Sequence, residues 1–88
     1  MAHLIDKSRD MKIVKIEWVD SRQMYGWVLE EDIDTSACYI NTCGYLIKET
    51  DEAFTVAVSV GEEPKQANGI NVIPKCCVVN YEEIIKGE

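Results

Sequence analysis

Apolar and polar side chains alternate most clearly in Gly44–Gly61, GYLIKETDEAFTVAVSVG. Phe54, Val56, Val58 and Val60 fall on one face, and Thr55, Ala57 and Ser59 on the other. A period of two carried by valines and a phenylalanine predicts a half-buried strand over Ala53–Val60, with its valine face in the core. Thr50-Asp51-Glu52 supplies a polar turn before it. Tyr39–Glu49 reads as the preceding long strand. Gly44 sits in its interior, where glycine marks a bulge or a close approach of backbone or ligand.

The same reading extends outward from this hairpin. Met11–Val19 predicts a first strand, with Val14, Ile16 and Trp18 on one face. Asp20–Gly26 is a loop, and Trp27-Val28-Leu29 suits either a short strand or the start of a helical turn. Glu30–Asp34 is an acidic run that passes into turn chemistry at Asp34-Thr35-Ser36. GEEPKQANG, from Gly61 to Gly69, carries three breaker residues and predicts a long loop. Ile70–Ile73 is a short strand that ends at Pro74, which has no N–H to give a ladder. Pro74–Cys77 predicts a tight 3₁₀ turn and Val78–Tyr81 a last short strand, after which the chain turns polar. The expected fold is a single all-β domain over residues 11–85, a small five-stranded barrel. A flexible lead-in at 1–10 precedes it and a tail at 86–88 follows. The element order is similar to that of SH3-like and Sm-like small barrels, an architecture that does not carry function with it.

Composition narrows the class of partner. A chain of 88 residues buries roughly 60% of its unfolded surface. Its core is adequate and not generous, so pairing of sheet edges between copies is expected to add stability, giving a homo-oligomer. The net charge of −7 opposes binding to duplex nucleic acid, which needs a basic face. No apolar run approaches the ~18 residues that span a bilayer. The opening MAHLIDKSRD has no apolar segment of the secretory kind. A cytoplasmic protein with its four cysteines reduced is the expectation, with no membrane partner.

Several short strings carry a family resemblance. IEWVDS at Ile16–Ser21, the pair Gly26-Trp27, CGYLIKETDE at Cys43–Glu52 and NVIPKCCVV at Asn71–Val79 are similar to small proteins encoded in tailed-phage and prophage genomes. These share the order W-x-D-S, a tryptophan, a G-[YW]-L strand and an I-P-K turn, and are labelled as proteins of unknown function. The resemblance implies a phage origin and a working place in the host cytoplasm. It implies little chemistry.

The residues themselves speak against catalysis. There is no G-x-S-x-G, no P-loop and no H-E-x-x-H. The one histidine, His3, lies in the lead-in. Asp20-Ser21 lacks a second base to activate the hydroxyl, and an Asx-type turn is its ordinary role. Cys38 and Cys43 are spaced C-x4-C, but Cys76 and Cys77 are adjacent and ill suited to a zinc knuckle. The cysteines are expected to be buried or half-buried fillers. No enzyme activity, metal or cofactor is expected.

Binding is where the sequence offers candidates. Tyr25 and Trp27 flank Gly26 after a polar loop, as either a lid over the barrel end or a stacking platform. A base stacked on such a ring gains roughly 1–3 kcal/mol. Lys65, Gln66, Asn68, Asn71 and Lys75 gather cations and amides suited to phosphate oxygens and base edges. These seven residues form the candidate ligand site, placed between copies. The function this predicts is a non-catalytic phage counter-defence accessory that sequesters a small anionic, nucleotide-type signalling ligand. The alternative places function on Glu30, Glu31, Asp32 and Asp34, an acidic surface that inhibits a host protein, with nucleic-acid mimicry as one form of it. A virion accessory is a third reading.

Overall fold

The structure is a computed structural model that describes residues 11–85. The expected lead-in, His3 within it, and the tail at 86–88 lie outside the described residues. Five antiparallel strands form one sheet: β1 (Ile13–Asp20), β2 (Cys38–Glu49), β3 (Ala53–Glu62), β4 (Lys65–Pro74) and β5 (Val78–Ile85). Their order across the sheet is β4-β3-β2-β1-β5. The all-β class is as the alternation predicts. The sheet does not close on itself, for β4 and β5 remain its two edges.

The sheet is nevertheless strongly curled. β3 and β5 are separated by β2 and β1, which in a flat sheet would hold them roughly 14 Å apart at the usual strand spacing. Yet the rings of Phe54 on β3 and Tyr81 on β5 stack with centroids 4.7 Å apart. The concave face encloses Val14, Ile16, Phe54, Val56 and Ile73, with Trp18, Leu46, Val78 and Tyr81 packed around them. The Trp18 indole N–H donates to Thr42 Oγ1 at 3.0 Å, so its one polar atom is paired on the way in. At the closed end, the Lys75 ammonium bonds the Glu49 carboxylate at 2.7 Å and lies 5.0 Å from the centre of the Phe54 ring. The Lys75 N–H donates to the Glu52 carbonyl, drawing the 3₁₀ turn Lys75–Cys77 onto the β2–β3 turn.

That turn behaves as its residues predict. Thr50 Oγ1 accepts from the N–H groups of Glu52 and Ala53, and the Thr50 N–H donates to the Ala53 carbonyl. Gly44 is a close approach. A Cβ there would stand 2.5 Å from the Ala57 carbonyl oxygen and 2.7 Å from a Val56 methyl.

Three expectations are corrected. Gly61–Gly69 is not a loop: Glu62 pairs with Lys65 and Gly61 with Gln66, so β3 and β4 run on to a two-residue turn at Glu63-Pro64. Proline at that turn removes an N–H that no ladder needs. The valine face of β3 is core only in part. Phe54 and Val56 are buried, but Val58 is 66% exposed and Val60 half-buried, because no strand covers them. β5 runs to Ile85 and not only to Tyr81, since β1 offers it partners as far as Ile13.

The second correction has a topological cause. β2 pairs with β3 only from Tyr45 to Glu49, whereas it pairs with β1 along Cys38–Tyr45. At Gly44 and Ala57 the sheet therefore splits. One limb is β2 with β1 and β5. The other is a two-stranded arm, β3 with β4, from about Val58 to Gly69.

Candidate functional site

The segment from Ser21 to Ala37, between β1 and β2, is exposed at every residue. It is held as a closed excursion by its own polar groups. The Arg22 guanidinium bonds Asp34 Oδ2 at 2.9 Å across the base. Asp34 Oδ1 accepts from both the N–H and the hydroxyl of Ser36. These bonds from Ser36, with Arg22 after them, hold the Asp34 carboxyl below its ordinary pKa. The expected turn chemistry at Asp34-Thr35-Ser36 is thus present. At the end of β1 the contact is shorter in range than an Asx turn: Asp20 Oδ1 accepts from the N–H of the next residue, Ser21.

Trp27-Val28-Leu29 forms neither strand nor helix; the single 3₁₀ turn comes next, at Glu30–Asp32. Gly26 has φ +86°, a left-handed conformation that suits glycine, and it turns the chain between the two rings. Tyr25 is 86% exposed, its hydroxyl donating to Gln23, and Trp27 is fully exposed. Neither is a lid over the concave face. Trp27 borders a shallow concavity of about 440 Å³ lined also by Arg22, Met24, Val28, Ile33 and Asp34.

The remaining candidates lie elsewhere. Gln66 and Asn68 line a second concavity, about 430 Å³, with Ser59, Gly61 and Ala67 on the arm. Strand alternation places Lys65 and Asn71 on the opposite face of β4 from Gln66 and Asn68. Lys75 is engaged by Glu49 and Phe54 at the closed end of the sheet. Within one chain the seven residues therefore divide among the excursion, two faces of the arm, and a structural ion pair. Glu30, Glu31, Asp32 and Asp34 share the excursion with the rings.

Arg22, Met24 and Ile33 were not singled out by sequence reasoning. The signal that points to them is the bracketing of the ring pair by opposite charges, Arg22 ahead and Asp34 behind, which the ion pair converts into a closed loop.

The cysteines are less buried than expected: Cys43 and Cys76 are exposed, Cys38 and Cys77 intermediate, and all four are free thiols. Cys43 sits on the outward face of β2, Cys38 at the strand's start shares the face of Ile40 and Thr42, and Cys76 and Cys77 lie on the 3₁₀ turn. The Cys76 and Cys77 sulfurs are 3.9 Å apart, and their hydrogen bond, ahead of burial, pushes the Cys77 thiol up. Among the described residues, no three His, Cys, Asp or Glu side chains converge as metal ligands, and no helix is long and apolar enough to cross a membrane. Compared with protein families, curated proteins and solved structures, the chain matches none of them.

Proposed function

We propose that this is a non-catalytic binding protein that holds a small anionic ligand with a flat ring, a nucleotide-type molecule, at the Ser21–Ala37 excursion. The observation that carries the reading is the fully exposed Trp27 ring beside the Arg22 guanidinium, on a concavity open to solvent. A large ring left in water is an incomplete contact surface. A base stacks on an indole for roughly 1–3 kcal/mol. Arg22 bonds Asp34 through one of its terminal nitrogens, and the rest of its guanidinium is the group offered to phosphate oxygens. Gln66 and Asn68, which share one face of the arm, complete the site from a neighbouring copy. In this reading the protein is a phage-encoded accessory of the host cytoplasm that sequesters a signalling nucleotide and breaks no bond. The strand order, with a 3₁₀ turn ahead of β5, supports an SH3-like or Sm-like architecture for it.

Denaturing the purified protein and analysing the supernatant by mass spectrometry tests this directly. A released nucleotide, or calorimetric heat with a panel of cyclic dinucleotides, cyclic trinucleotides and cyclic ADP-ribose isomers, is expected. Trp27→Ala should lose at least about tenfold in affinity, the equivalent of one stacked base. Neither nucleotide nor heat with the wild-type protein would overturn it.

One observation favours the second reading, an acidic surface that inhibits a host protein. Glu30, Glu31 and Asp32 are all exposed on one turn, flanked by exposed Leu29 and Ile33. A partner captured in low salt and released in high salt, with no nucleotide found, would select this surface.

A further inference from the structure

Among the described residues, no strand pairs with β2 on its β3 side from Cys38 to Cys43, and that stretch of edge carries no charged residue. Natural sheets protect such edges with lysine, proline, inward charges or a covering segment. From Thr35 to Ile47 this chain has no Asp, Glu, Lys, Arg, His or Pro. Over the whole sequence, charged residues make up 28%. The strand itself is long, and Tyr39 beside the edge is 61% exposed.

The backbone parity of this edge follows from one bond. The Leu46 N–H donates to the Lys12 carbonyl, in register with the β1–β2 ladder. In an antiparallel pair, residues of the same parity direct both N–H and C=O to the same neighbour. Gly44, Thr42, Ile40 and Cys38 thus face β1. Tyr39, Asn41 and Cys43 direct their N–H and C=O to the free edge.

We propose that the free edge of β2 pairs antiparallel with the same edge of a second copy, about a two-fold axis at Asn41. That register sets Asn41 against Asn41 and Tyr39 against Cys43, and uses the outward groups of all three residues at once. A strand edge paired antiparallel with itself is self-complementary, as an isologous interface requires. Charge argues for a second copy as well. Two chains of net charge −7 repel everywhere except across an uncharged stretch, and this is the longest one in the sequence.

The pairing also reaches the ligand site, and in this respect it rests on the reading above. With Cys38 opposite Gly44 of the second copy, the excursion ending at Ala37 arrives where that copy's β3 leaves the sheet and its arm begins. The exposed Leu29 of one copy and Val58 of the other are then available as contact area, while Ile70 and Val72 lie on the opposite face of the sheet from Val58. A six-residue edge alone falls short of the roughly 1,200–2,000 Å² of a stable interface. The excursion and the arm supply the remainder, and Trp27 meets the arm's amides across the two-fold axis and not within one chain.

Charge exchange at Asn41 tests the axis. Asn41 is exposed and outward, so neither Asn41→Lys nor Asn41→Asp disturbs the core. Each variant sets like charges directly opposite each other and should halve the assembled mass measured by light scattering, with unchanged circular dichroism. Mixing the two variants should restore the wild-type mass, with the mixed species resolved by native mass spectrometry. A monomeric wild-type protein at tens of micromolar would overturn the proposal. So would variants that keep the wild-type mass, or a mixture that fails to reassociate. Calorimetric heat from the same samples separates the two readings. A monomer that still binds nucleotide sinks the edge and spares the ligand site, whereas an assembly without heat does the reverse.

Discussion

The two halves of this molecule obey different rules. In the curled half, Val14, Ile16, Val56 and Ile73 are removed from water and every strand has a neighbour. In the other half the excursion and the arm carry residues of similar hydrophobicity, Trp27, Leu29 and Val58, and leave them exposed. The difference is not one of composition. The curled half covers its own face because Phe54 and Tyr81 stack across it, and Lys75 pins the end of the sheet to Glu49. The bare half cannot close on itself. A two-stranded arm has no third strand to bury its face, and such ribbons are marginal alone in water. Apolar surface of this kind, held on an ordered backbone, is what the proposed ligand and second copy would use.

Substitution should separate the halves sharply. Ile16→Ala removes a fully buried side chain and is expected to cost about 2–5 kcal/mol in urea unfolding. Trp27→Ala, in contrast, should change stability by no more than ~0.5 kcal/mol while weakening ligand binding at least about tenfold. Equal losses of stability from the two would erase the distinction. Gly44→Ala tests the point at which the halves part. Its new Cβ meets backbone and not a flexible side chain, so β2 and β3 must move apart, at about 1–3 kcal/mol. Thermal melts give the size. A melt like wild type would mean that the approach of Ala57 is not what holds the fork.

The smallest expected effect is confined to the excursion. Asp34 has a lowered pKa when folded, so its bonds to Ser36 and Arg22 hold fully above the ordinary carboxylate pKa, about 3.9. They are lost as pH falls below it, through the lowered value. Fluorescence of a Trp18→Phe protein, which reports Trp27 alone, should stay constant from pH 7 to about pH 5 and change only in more acid solution. Asp34→Asn should shift that change or remove it. A transition near neutral pH would assign the closure to another group.

Much of the fold was legible because period-two alternation is a local property. Val14, Ile16 and Trp18, then Phe54 and Val56, declared their shared faces directly, and Thr50-Asp51-Glu52 and Lys75–Cys77 declared their turns. Gly61–Gly69 was not legible, since its breaker residues are equally at home in a loop and in a ladder with a two-residue turn. Cross-strand partners decided between them. Candidate site residues were legible as chemistry and not as places. Tyr25 and Trp27 stay exposed, Lys75 turns inward to Glu49, and Gln66 and Asn68 part from Lys65 and Asn71 by strand parity.

What the sequence alone determined was the all-β class, the strand faces, the acidic net charge and the uncharged stretch along β2. These depend on neighbours along the chain or on simple sums. What only the tertiary structure decided was where those faces are covered. Burial depends on which strands diverge, and the divergence at Gly44 and Ala57 follows from a backbone approach between residues well apart in the chain. It leaves β2 with an open edge and strips Val58 of the core its alternation had implied.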